Sequence, residues 1–298
     1  MFLNFKIKPG ENNSWLIFLI ISTVISFSCT EKVNFIETNK AEIYVLNSLF
    51  SPNSEIQLFL NRTSNILDDS TYYLNASNIQ LYENSSPINI PIEKLEDRYI
   101  IHYFPKSNKK YTIEVSIPFY NKLLVAEDIL PSMVQIANAT YKYPVYTDKY
   151  DTRFGNLEIS FTDENHESNY YEIILLSNNR LIHTLKVNHP VITVDSENDP
   201  IVYPTLIFTD EKFKNSELTL DIFVDSYYSP VVILRNMSYN YYMYKKYLYM
   251  HLDNQNIDRE NVYEVFKGDP IDLYSNVMNG LGIFASFSEN IKQSSLIQ

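Results

Sequence analysis

Glycine is scarce in this chain: five residues in 298, against an average usage near 7%. Loops that cradle phosphates or dinucleotides need glycine at fixed spacings, and no such run is present. Cysteine occurs once, at Cys29, which excludes an intrachain disulfide and leaves stability to the core. Clustered positive charge is also missing. With 24 Lys and Arg against 36 Asp and Glu the net charge is −12, and the longest basic runs are the pairs Lys109-Lys110 and Lys245-Lys246. Neutralising phosphates takes clustered Lys and Arg, so no nucleic-acid partner is expected. There is no Gly-x-Ser-x-Gly elbow and no His-Glu-x-x-His zinc helix, so the chain reads as a non-enzyme with no cofactor.

Long apolar runs are absent as well. The longest, Trp15 to Phe27, falls short of the roughly 20 residues a spanning helix needs. It fits the apolar core of a secretory signal behind a leader carrying Lys6 and Lys8. The run ends at Ser28-Cys29, a small residue followed by the sole cysteine, which resembles the lipobox of bacterial lipoproteins. This reading gives a signal peptide over 1–28, Cys29 as the acylated mature N-terminus, and a polar tether over 29–40. Palmitate is expected among the acyl chains, and a lipidated Cys29 leaves no free thiol for chemistry.

What is abundant is short stretches of β-branched and aromatic residues, separated by Asn, Asp, Ser and Pro. Ile56, Leu58 and Leu60 alternate with Glu55, Gln57 and Phe59, the period of a half-buried strand. Six or seven such strands over 41–130 predict an immunoglobulin-like sandwich. Ile129-Leu130-Pro131-Ser132 marks the expected boundary. A second antiparallel β-sandwich or barrel-like domain follows over 131–298, its strands beginning at Asn156. The fold class is therefore all-β. One segment breaks the pattern: 238–252 has no clean alternation and no breaker, and Ser238 suits an N-cap, so a helix is expected there. Tyr242, Tyr249 and Leu252 fall near one of its faces, with Lys245 offset.

Candidate chemistry is thin. Of the five histidines (His102, His166, His183, His189, His251) only His166 has acidic neighbours, in a stretch that reads as a charged turn. Asp195-Ser196-Glu197-Asn198-Asp199 alternates carboxylates as calcium loops do, but Pro200 stands where such a loop needs glycine. No metal site is expected. Tyrosine is the richest material, with 25 residues. The bursts at Tyr143 and Tyr146 and at Tyr227 and Tyr228 are the candidate partner contacts, because phenol rings suit protein interfaces and saccharides. The competing reading is that tyrosine simply forms strands well.

Three of the five glycines lie between 268 and 282, and Asn279-Gly280 reads as a turn feeding a strand over Leu281 to Phe287. Asn279, Gly280 and Gly282 are the expected turn residues of a closing hairpin, with Gly280 at positive φ. The ending Tyr274-Ser275-Asn276-Val277-Met278-Asn279-Gly280-Leu281-Gly282-Ile283-Phe284 closely resembles that of a family of Bacteroidota lipoproteins known as domain of unknown function 4249. Further likeness lies in the lipidated cysteine, in Phe161-Thr162-Asp163-Glu164-Asn165 leading to Asn169-Tyr170-Tyr171, and in the tyrosine-rich helix. The resemblance implies an outer-membrane lipoprotein accessory to a TonB-dependent β-barrel transporter in surface capture or uptake. A structural or adhesive surface lipoprotein is the alternative, and a hydrolase has no particular residue pair behind it.

Overall fold

Alternation of apolar and polar side chains is the organising pattern. The computed structural model describes residues 43–63, 72–118, 122–147, 149–151, 153–163, 168–182, 184–187, 205–214, 216–255 and 271–297. Cys29, the segment 29–40, His166, His183, His189, the 195–199 stretch and Gly268 lie outside these. Glu42 to Gln298 form one compact unit.

The first half of that unit contains β1 (Tyr44–Phe50), β2 (Ile56–Arg62), β3 (Tyr72–Tyr73), β4 (Asn78–Glu83), β5 (Ser86–Ile88), β6 (Ile92–Lys94), β7 (Tyr99–Ile101), β8 (Lys109–Ile117) and β9 (Lys122–Leu130). Two sheets, β1-β2-β7-β6 with β3 alongside β2, and β5-β4-β8-β9, supply one core. Every second residue points inward: Leu46 and Phe50 from β1, Ile56, Leu58 and Leu60 from β2, Ile113 and Val115 from β8, all buried. Burying such a side chain contributes about 1.5–3 kcal/mol.

The second half adds β10 (Ile136–Thr147), β11 (Arg153–Thr162), β12 (Tyr170–Ser177), β13 (Arg180–Leu181), β14 (Thr184–Val187), β15 (Leu206–Thr209), β16 (Glu217–Val224), β17 (Val231–Met237), a helix α1 (Tyr239–Gln255), β18 (Leu281–Gln293) and β19 (Ser295–Ile297). A second core lies between β10-β11-β16 and β12-β17, built on Tyr141, Leu157, Ile159, Phe161, Tyr171, Leu220 and Leu234. Among the described residues the architecture is all-β with one helix, as the sequence implied, and no sheet closes into a barrel.

Strand direction is where the structure departs from expectation. β18 runs parallel to β1, from Val45↔Leu281 to Phe50↔Ser286, and antiparallel to β17, from Met237↔Phe287 to Val231↔Gln293. One ten-stranded sheet thereby crosses both halves. β19 is also parallel to β10. The ending is therefore no hairpin: the segment before the turn is extended, and Met278 bridges to Val125 of β9.

The turn residues work differently from the expectation too. Positive φ falls at Asn279 (63°) and Gly282 (113°), not at Gly280. Asn tolerates the left-handed region better than most residues, which frees position 280 from that duty. Gly280 answers a packing demand instead, since a Cβ there would lie 2.7 Å from Tyr44 O and 2.8 Å from the Leu124 side chain. At Gly282 a Cβ would come within 2.1 Å of Leu46 O, on top of the unfavourable φ. Gly282→Ala is expected to lower the unfolding free energy by about 2–3 kcal/mol or more, since the clash is with backbone. A denaturant midpoint unchanged from the parent protein would contradict this.

Candidate functional site

The family-like ending is a hydrogen-bonded splice. Asn276 donates its amide N–H to Phe284 O (2.8 Å) and Glu127 O (3.1 Å), and its Oδ1 accepts from Phe284 N (2.9 Å). Tyr274 donates its hydroxyl to Asn240 Oδ1 (2.7 Å), which ties the segment to the first turn of α1. Phe284 then enters the first core, its ring 4.7 Å from that of Phe50. Tyrosine, asparagine, two glycines and phenylalanine thus each have a structural duty. The mid-chain element acts similarly: Asp163 Oδ1 accepts from Asn169 Nδ2 (2.9 Å) and the Tyr171 hydroxyl (3.1 Å). This fixes the approach to β12.

Helix α1 is held by charge as well as by packing. Ser238 caps it, its Oγ accepting from Tyr241 N (3.2 Å). On β12, fully buried Glu172 meets Lys245 Nζ at 2.8 Å and Arg235 at 3.3 Å, and accepts from the Thr205 hydroxyl at 2.7 Å. Arg235 also pairs with Glu289 (2.9 Å) and lies over the Phe287 ring (4.2 Å). Burial pushes the Lys245 ammonium down, but the Glu172 charge outweighs it and the group sits above its ordinary range. These charges are mutually satisfied, so the cluster orients the helix on the sheet. The buried stripe of α1 accordingly runs through Tyr241, Lys245 and Tyr249, while Leu252 is exposed.

Asp128 occupies an inward position of β9, between Ala126 and Leu130, where alternation calls for an apolar residue. Its carboxylate accepts from the Ser286 hydroxyl and from Asn240 Nδ2 (2.8 Å), beside the start of α1. Burial raises its pKa to about 6, and the hydrogen bonds from Ser286, Ser238 and Asn240 hold it from rising further. A cleft of about 290 Å3 adjoins it, lined also by Lys110, Glu127 and Asn276. Because the folded state holds this proton more tightly than the unfolded chain, stability from this group is greatest below its ordinary value. It is lost as pH rises from about 4 to 6. Asp128→Asn should remove a pH-dependent loss on the order of 3 kcal/mol across that window. Urea titrations at several pH values measure it, and an unaltered pH slope would refute the assignment.

The tyrosine bursts converge. β10 continues past a cis Tyr143-Pro144 bond, and the ladder to β11 shifts so that residues 143–145 oppose Gly155 alone. A Cβ on Gly155 would lie 1.9 Å from the Tyr141 hydroxyl, so the glycine makes room for that buried ring. Tyr141 donates to Ser226 O, and burial pushes its phenol up to about 12. Ser226 in turn donates to Tyr228 O (2.7 Å). This anchors the turn that carries Tyr227 and Tyr228.

The rings of Tyr143 and Tyr227 then meet edge to face at 5.3 Å, and those of Tyr227 and Tyr228 at 5.1 Å. Tyr146 has no ring contact with these three and stacks on Phe154 at 5.9 Å. Tyr146, Tyr227 and Tyr228 are 58%, 70% and 56% exposed, whereas Tyr143 is half-buried. The result is an exposed aromatic surface with polar tips, drawn from two segments some eighty positions apart. Phe154, the ring partner of Tyr146, carried no signal in the sequence, because its strand alternation resembles that of any core-forming strand.

No curated protein matches this chain. A family model matches residues 30–293, and the chain belongs to that family, the Domain of unknown function DUF4249.

Proposed function

We propose that this protein is a lipid-anchored outer-membrane protein of Bacteroidota type, non-enzymatic, that docks on a TonB-dependent β-barrel transporter and assists surface capture or uptake. The observation that carries the reading is the convergence of Tyr143, Tyr227 and Tyr228, whose rings meet one another where Tyr227 and Tyr228 are exposed. Interfaces draw most of their energy from a few aromatic and Arg anchors, and tyrosine supplies contact area at low entropic cost. The surface is built on strands and an anchored turn, so its rings are positioned before a partner arrives. The apolar run ending at Cys29 supports anchoring by lipid. Among the described residues, no helix is long and apolar enough to cross a membrane.

Two measurements test the proposal. In Cys29→Ala the precursor should remain unlipidated and lose its membrane association. Mass spectrometry of the mature protein finding an unmodified Cys29 or another N-terminus would refute the anchor. Pull-down from solubilised outer membranes should recover a β-barrel transporter, and Tyr146→Ala combined with Tyr228→Ala should weaken that recovery. Both side chains are exposed, so the pair should shift stability by no more than about 0.5 kcal/mol. Recovery of the lipoprotein alone after crosslinking would transfer the case to the adhesive reading.

A further inference from the structure

A second concave surface lies on the opposite half of the unit, on the outward face of the ten-stranded sheet. Glu55, just before β2, and Gln57 and Phe59 within it point away from the first core by the alternation that buries Ile56, Leu58 and Leu60. Asn47 and Leu49 of β1 share that face, with Asn47 registered opposite Phe59. Tyr244 of α1 forms the wall, and together they line an open cleft of about 450 Å3. Sites for small molecules span roughly 300–1,000 Å3.

The lining has a particular chemistry. Asn47 spends its Oδ1 on Ile283 N (3.2 Å), and its NH2 group makes no hydrogen bond among the described residues. The Gln57 amide is likewise uncommitted there, as is the Tyr244 hydroxyl. One Glu55 oxygen is held by His102 Nδ1 at 3.0 Å, which leaves the other to accept. Two planar amides and a carboxylate therefore stand beside two aromatic rings and the exposed Leu49. Vicinal hydroxyls pair well with planar amides and carboxylates, each of which presents adjacent donor or acceptor positions. The C–H face of a sugar ring packs on an aromatic surface, whose polar edge groups remain free to bond.

We propose that this cleft binds a neutral pyranose sugar, alone or as the end of a glycan. Neutral charge follows from the lining, which presents Glu55 and no cationic side chain, so a sugar acid would meet repulsion at close range. The inference does not rest on the transporter reading, because it requires only the purified chain.

The test uses the full chain in a polyoxyethylene detergent, which carries no sugar of its own. Saturation-transfer NMR and calorimetry are run with glucose, galactose, mannose and maltose, and with glucuronate as the charged counterpart of glucose. Saturable binding of at least one neutral sugar is expected, with maltose tighter than glucose if the ligand is a glycan end. Gln57→Ala should weaken it by about tenfold. Leu49→Arg should abolish it by filling the cleft, and both positions are exposed, so circular dichroism should match the parent. No saturable binding of any neutral sugar, binding that both variants leave intact, or glucuronate bound as tightly as glucose would each overturn the proposal.

Discussion

Everything in this fold depends on one strand having two partners of opposite sense. The N-terminal part of β18 completes the first half as a parallel neighbour of β1, and its C-terminal part completes the second as an antiparallel neighbour of β17. Ile283, Phe284, Ala285 and Ser286 are consecutive and all buried, which a strand with one wet face would never show. The parallel step cannot be reached by a tight hairpin. It is reached by an extended run bonded to β9 and a turn through Asn279, and the two glycines let that run lie against the backbone of β1. Contacts such as Ile283 N to Asn47 Oδ1 span 236 residues, so the first core stays open on one edge until β18 arrives. Loop-closure entropy makes such pairing slow relative to the local hairpins.

The same constraint explains where charge is buried. With β17 and β18 central in the sheet, their outward face needs a cover, and α1 supplies it over Met237, Ile283 and Ala285. Tyrosine-rich helices are poorly amphipathic, so apolar contact alone leaves the rotation of α1 weakly fixed. Glu172, Arg235, Lys245 and Glu289 settle it by directed bonds from three strands and the helix. Desolvation offsets most of the attraction in such a group, while removing one member would leave a buried charge uncompensated. The cluster therefore gives orientation more than stability.

How much of this was legible in the sequence differs by element. Strands with clean alternation, such as Ile56–Arg62 and Lys109–Ile117, were readable because one face is apolar throughout. So was the helix, through Ser238 and the missing alternation, but its buried face was not: a lysine in the buried stripe makes sense only once Glu172 is opposite it. β10 escaped because Pro144 argues against a strand, and the bulge opposite Gly155 that accommodates it leaves no periodic trace. The parallel sense of β18 was unreadable, since alternation carries no direction. Asp128 could have been suspected, as the one carboxylate in the inward series Leu124, Ala126, Asp128, Leu130.

Tyrosine shows why composition underdetermines function here. Tyr111, Tyr141 and Tyr171 are fully buried and place their hydroxyls on Glu83, Ser226 and Asp163. Tyr241 and Tyr249 line the charged seam under α1. Tyr146, Tyr227 and Tyr228 face solvent. One residue type serves three environments because its ring is apolar and its tip is polar, so counting it cannot separate core from surface. Register does separate them. Tyr141 sits inward on β10 and Tyr143 begins the bulge. The hydroxyl of the buried ring then holds the turn that presents the exposed pair. The surface available to a partner is in this sense a product of the second core, and its shape is fixed by the same packing that keeps the fold closed.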